Sequence, residues 1–198
     1  MFELGAGTPD VYLTFDDGPD PVNTPRVLDV LARFGTRATF FVIGRNASAY
    51  PALVQRMSAE GHTVGNHTFT HGEPSEVSAR TLGDEVRRTR DLLSTLTGKV
   101  PRLVRPPKGK VTVSKLLTLW RDGQTVVLWS RDPKDYECET ASVLADRLAA
   151  SRPAPGDIVL LHDRVAHTAD VLDRLLTDCT ARGLTCSGLP HAYRERAG

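Results

Sequence analysis

The chain has 198 residues, 40% of them hydrophobic and 25% charged, with a formal net charge of +1. That is enough for one sizeable core and short for two, since domains usually run to roughly 100–200 residues. The scattered basic residues leave no run beyond Arg87-Arg88, which argues against a nucleic-acid or anionic-membrane footprint, and no apolar stretch approaches the ~20 residues of a membrane span.

In chain order, β-rich apolar runs alternate with stretches of helical periodicity. Residues 11–15 form the first run, which Asp16, Asp17, Gly18 and Pro19 bring to a stop. Val27, Leu28, Leu31 and Phe34 then recur at helical spacing up to Gly35. A second run follows at 38–44, a helical stretch ends near Gly61, and a third run occupies 62–67. Leu82, Val86, Leu92, Leu93 and Leu96 mark a long helix ending at Gly98. Further runs lie at 102–106, 125–130 and 157–163, with a seventh candidate at 184–189. Glycine at helix ends supplies the backbone freedom a stop requires. Strand then helix, repeated, predicts a parallel sheet covered by helices. No linker or repeat divides the units, and no phosphate-binding glycine loop follows the first strand. Six or seven parallel strands in one α/β domain therefore favour a distorted (β/α) barrel over an open doubly wound sheet.

In a barrel of this kind, chemistry collects where the strands end. Those ends carry Asp16 and Asp17, His67 and His71, Arg105 with Pro106-Pro107-Lys108-Gly109, Asp132 and Asp135, and His162 with Asp163. Two adjacent carboxylates repel unless a cation or an arginine lies beside them; a turn or cap role for Asp17 is the plain alternative. His67 and His71 would stand roughly 13 Å apart on an extended strand, so a single helical turn is expected to bring them together. Two imidazoles with one carboxylate and open positions describe a catalytic metal site, whereas a surface histidine pair is the bland reading.

The two prolines stiffen the chain before Lys108, whose amide is the next free donor and is suited to a developing oxyanion. Arg105 is placed to hold a carboxylate such as Asp16 ionised. His162 ends a buried strand and is suited to donate a proton, with Asp135 fixing its tautomer. Each of these alone would pass for a turn or a core histidine. Among the cysteines, Cys138 stands apart, and Cys179 and Cys186 pair if the compartment is oxidising or otherwise stay as buried thiols.

Five ordered motifs, "TFDDGP" (14–19), "HTFTH" (67–71), "RPPKG" (105–109), "DPKDY" (132–136) and "LLH" (160–162), span most of the chain. Together they make it resemble the NodB-type polysaccharide deacetylases, carbohydrate esterase family four. The resemblance implies a single NodB-homology domain over residues 8–195 that hydrolyses acetyl groups on sugars and releases acetate. By motif position, Asp17, His67 and His71 match metal ligands, Asp16 the general base and His162 the general acid. Arg105 matches the residue steadying the base and Asp135 the one tuning the acid. The Lys108 amide falls at the oxyanion, and Leu160, Tyr136 and Pro107 at the substrate. Zinc is the implied metal, with cobalt or manganese as substitutes.

Two positions depart from the family pattern: Lys108 and Tyr136 stand where an aromatic residue and tryptophan are common, which alters the sugar groove. The expected substrate is an N-acetylated amino-sugar glycan of chitooligosaccharide or peptidoglycan type. Acetylxylan O-deacetylation, N-deacetylation of a small metabolite and an inactive glycan-binding barrel are the alternatives. No apolar stripe stands out beyond the helix faces needed to cover the barrel, so a monomer is expected. The first ten residues lack the basic start and apolar core of a secretion signal. The expected location is cytoplasmic if the chain is complete, and extracellular, as the resemblance implies, if a leader was removed.

Overall fold

A computed structural model describes residues 9–190; the expected domain limits, 8 and 195, lie outside the described residues. Among the described residues seven strands form: β1 (Asp10–Asp16), β2 (Thr39–Val42), β3 (Thr63–Asn66), β4 (Leu103–Val104), β5 (Thr125–Val126), β6 (Ile158–His162) and β7 (Thr185–Ser187). Every pairing is parallel, in the order β5-β4-β3-β2-β1-β6, with β7 on the first half of β1. Beyond β5 the chain leaves the sheet and returns, so that Arg131 bridges Val159 and the Leu160 amide donates to the Arg131 carbonyl at 2.9 Å. That contact rolls the sheet closed. The barrel is distorted because β4 and β5 keep only two residues each, against seven in β1.

The helices are α1 (Asn23–Arg33), α2 (Gly44–Ala49), α3 (Pro51–Ala59), α4 (Ala79–Thr97), α5 (Val113–Arg121), α6 (Ala141–Ala150) and α7 (Ala166–Ala181). Ser78, Thr112 and Thr140 cap α4, α5 and α6 by accepting an amide three residues on, which satisfies a donor the first turn leaves orphaned.

Alternation along β1 sorts the interior into two layers. Val11, Leu13 and Phe15 point toward the helices and join Val27, Leu28, Leu31 and Phe40 in the main core, where the Phe15 and Phe40 rings stack at 5.1 Å. Tyr12, Thr14 and Asp16 point the other way, into the barrel, where Phe41, Leu103, Val127 and Leu189 make a smaller cluster. The acid that ends β1 is thus delivered inside the barrel mouth by the same register that buries its apolar neighbours outside.

Cys179 and Cys186 meet as free thiols where α7 packs against β7, and Cys138 is also free. Among the described residues no helix is long and apolar enough to cross a membrane.

Candidate active site

Asp16 is the last residue of β1, and Asp17 departs from it in a left-handed conformation with φ 72°. Strict alternation would send the second carboxylate to the opposite face; the left-handed turn instead brings both into one cleft. Asp16 is 3% exposed, and its Oδ1 accepts from Arg105 Nη1 at 2.7 Å. Its Oδ2 lies 3.6 Å from His67 Nε2. Asp17 Oδ2 accepts from Arg164 Nε at 2.9 Å, while Oδ1 is buried without a hydrogen-bond partner among the described residues.

His67 and His71 do come together, with ring centroids 4.9 Å apart, but not on the helical turn their spacing predicts. Residues 67–71 are irregular, and Thr68 and His71 take φ of 65° and 57°. The loop's amides find another acceptor: Glu85 of α4 receives the Phe69 and Thr70 N–H groups at 3.1 and 3.0 Å. Thr68 accepts the His71 amide at 3.2 Å. Side chains here replace the carbonyls a helix would have used.

His67 Nδ1 donates to the Arg105 carbonyl at 2.5 Å, which leaves Nε2 with its lone pair exposed. That Nε2 is 3.5 Å from Asp17 Oδ1, and His71 Nε2 is 3.4 Å from the same oxygen. The three donor atoms all lie within 4.8 Å of one another. Two ligands ~2.0–2.1 Å from one tetrahedral ion sit roughly 3.3–3.4 Å apart, so the donor set fits a zinc-sized cation and gives the unpaired Asp17 oxygen a partner. Burial alone would raise the Asp17 carboxyl, but His67, His162 and His71 hold it well below the usual carboxylate range. Burial, then the charge of His67, lowers His71 and keeps it in the neutral form that binds metals.

Arg105 is fully buried. Besides Asp16 it donates to Thr14 Oγ1 at 2.8 Å and to the Val127 and Leu128 carbonyls at 3.3 and 3.2 Å, and its guanidinium lies over the Phe41 ring. Burial lowers its pKa and the adjoining Asp16 charge offsets part of that. Lys108 sits in a short 3-10 turn with φ 55°; its amide has no backbone acceptor among the described residues, and its ammonium pairs with Glu73 at 2.5 Å.

Across the cleft, His162 Nδ1 and Asp135 Oδ1 are 2.7 Å apart. Asp135 is wholly buried and also accepts from the His162 and Tyr136 amides and from Thr168 Oγ1. Burial would lower the His162 pKa, but the Asp135 hydrogen bond and charge, helped by Asp16 and Asp17, raise it above the ordinary value.

The polysaccharide deacetylase family model matches residues 5–127. The chain belongs to the polysaccharide deacetylase family. It is 43% identical to a chitooligosaccharide deacetylase of Bradyrhizobium sp. over 94% of this chain and 84% of that one. It is 31% identical to a peptidoglycan-N-acetylglucosamine deacetylase of Bacillus cereus over 93% of this chain and 68% of that one. The crystal structure of a peptidoglycan N-acetylglucosamine deacetylase bound to a hydroxamate superposes with a TM-score of 0.88 at 31% identity, covering 93% of this chain and 87% of that one. The NodB fold, the hydrolase class and the deacetylase activity are those expected from the motifs, and family members are metal-dependent in general.

The polysaccharide deacetylase cleft holds about 350 Å³ and is lined by Asp16, Asp17, His67, His71, Lys108, Leu160 and His162, with Tyr136 edge-on to His162 at 5.1 Å. Pro107 does not line it; it is buried beside a smaller hollow next to Pro74 and Leu82. Trp129 and Arg164 also line the cleft, outside the residues that the motifs assign to the site. Trp129 was readable as a large aromatic near a strand end. Arg164 follows "LLHD" directly, but nothing in the spacing pairs it with Asp17. Asp163 is nearly fully buried against the Gly18 backbone, accepts from Thr24 Oγ1 at 2.5 Å, and is pushed up to about 7 by burial.

Proposed function

We propose that this polysaccharide deacetylase removes N-acetyl groups from amino-sugar glycans of the chitooligosaccharide or peptidoglycan type. In this reading Asp17, His67 and His71 hold one divalent cation, zinc by the chemistry of an oxygen and two imidazole nitrogens, with cobalt or manganese able to replace it. The observation that carries it is the meeting, in one cleft, of that donor set with a clamped carboxylate and a clamped imidazole. The names of the relatives support the substrate class.

A bound zinc would polarise the acetyl carbonyl and lower the pKa of water toward ~7. Asp16 acts as general base: Arg105 fixes Oδ1, which leaves Oδ2 to take a proton from the attacking water. The water oxygen bonds to the carbonyl carbon, and the Lys108 amide stabilises the negative charge on the former carbonyl oxygen. The C–N bond then breaks. His162, protonated and steadied at Nδ1 by Asp135, gives its proton to the leaving nitrogen, so water is divided between acetate and a free amine. Leu160 and Tyr136 form the wall against the acetyl group and sugar, and Trp129 offers the flat face that Lys108 lacks.

The test is acetate release from N-acetylglucosamine oligomers, peptidoglycan fragments and acetylated xylan, with metal-stripped and zinc-restored protein. Release from the first two, lost on stripping and regained with zinc, is expected. Release from xylan alone, or none from any glycan, would overturn the assignment.

A further inference from the structure

Helix α5 buries Leu119 in a core cluster with Val104 and Val86, yet leaves most of its apolar residues facing outward. Its inward side carries Leu119 and Lys115, whose ammonium donates to the Pro74 carbonyl at 2.6 Å. Its outward side carries Val113, Leu116, Leu117 and Trp120, exposed by 73%, 39%, 44% and 73%. Positions i, i+3, i+4 and i+7 share one helix face, so these four form a continuous stripe. A sequence pattern cannot tell which face of an amphipathic helix meets the barrel, and this stripe reads there as ordinary cover.

We propose that the outward face of α5 is the centre of a two-fold interface with a second copy of this chain. At ~150–250 Å² for a large side chain, the four residues expose on the order of 400 Å² of apolar surface. That matches the largest patch on a typical monomer, ~300–600 Å², and supplies about half of the ~800 Å² that each partner buries in a standard interface. Two antiparallel α5 helices set Trp120 of one copy against the start of the other stripe, the self-complementary contact a two-fold axis requires. The flank supplies a polar rim of both signs: Arg87 bridges Asp122 and Asp84 at 2.6 Å each, beside Arg121. Mixed charge suits a like partner and not an anionic lipid surface, which would call for a basic flank. A glycan platform would need free hydroxyl and amide groups around the exposed Trp120 ring, whereas the hydroxyls beside the stripe already bond within the helix: Thr118 Oγ1 donates to the Ser114 carbonyl and Thr112 Oγ1 pairs with Ser114 Oγ, each at 2.9 Å.

Sedimentation velocity on the full chain from about 1 to about 200 µM tests this. A species of twice the monomer mass that grows with concentration is expected. Trp120→Ala should weaken its association at least about tenfold, as buried tryptophans dominate interfaces. Leu117→Glu should abolish it by facing a charge toward its mate. Both variants should release acetate as the wild-type monomer does, since neither residue lines the cleft; this keeps the result independent of the assigned substrate. The proposal fails if the chain stays monomeric throughout, or if both variants still dimerise. It fails equally if the mass is unchanged while Trp120 fluorescence, read in a Trp129→Phe background so that the cleft tryptophan is silent, shifts on adding phosphatidylcholine vesicles or an N-acetylglucosamine oligomer.

Discussion

The two rims of the barrel take left-handed backbone in opposite ways. Where α4 and α7 hand the chain back to a strand, the left-handed residues are Gly98 at φ 69° and Gly183 at φ 72°, which accept that conformation without a Cβ penalty. At the rim where the strands end, Asp17, Thr68, His71, Lys108 and Lys134 take it as well, beside Gly109 at φ 63°. These are all the non-glycine residues with positive φ among the described residues. Each stands in the cleft or in the turn leading to it, at a cost of order 1–3 kcal/mol apiece. The lower rim is built for stability. At the upper rim Asp17 and His71 accept strain because their side chains are needed where glycine would fit better.

That contrast can be broken, the largest effects coming at the upper rim. Asp16→Asn should cut acetate release by ~10²–10⁴-fold, the usual weight of a general base, with bound metal unchanged by elemental analysis. Asp135→Asn should reduce it by about 10–100-fold, as loss of an orienting partner commonly does, and should also move the pH profile. The His162 pKa is raised in the native protein, so its acid form persists to higher pH and activity falls as pH rises through that value. Without the Asp135 charge the alkaline limb should shift to lower pH. An unmoved limb would remove His162 from the acid role.

Smaller effects separate the rims themselves. Gly98→Ala should lower stability by ~1–2 kcal/mol, since it adds a Cβ at positive φ, with acetate release per folded molecule unchanged. Denaturant titration and assay together check this. Lys108→Gly keeps the amide and relieves its φ of 55°, at the entropic cost of a more flexible unfolded chain. It should be neutral to about 1 kcal/mol more stable with turnover within a few-fold, because the proposed mechanism uses only the backbone donor at this position. Large loss of turnover would shift the weight to the ammonium and its Glu73 partner.

Much of this was legible in the sequence. The alternation of strands and helices, and the glycines that end the helices, specified a parallel barrel because apolar periodicity and turn chemistry are local. The motifs specified which residues gather at the strand ends. What stayed hidden is what depends on distant partners. The loop from His67 to His71 reads as a helical turn until Glu85, sixteen residues on by the Phe69 amide, takes its N–H groups. Arg164 reaches Asp17 from a sequence separation of 147, and Thr168 supports Asp135 from 33. No spacing rule reaches across such distances. The outward stripe of α5 was equally hidden, since the residues are visible but the direction they face is set by the whole fold.

The central claim is that one cation sits among Asp17, His67 and His71. Anomalous diffraction at the zinc edge from crystals grown with zinc tests it most directly. A single strong peak within bonding distance of an Asp17 oxygen and of Nε2 of both histidines is the result this account predicts. A strong peak elsewhere in the chain, with those three side chains turned from one another, would contradict it.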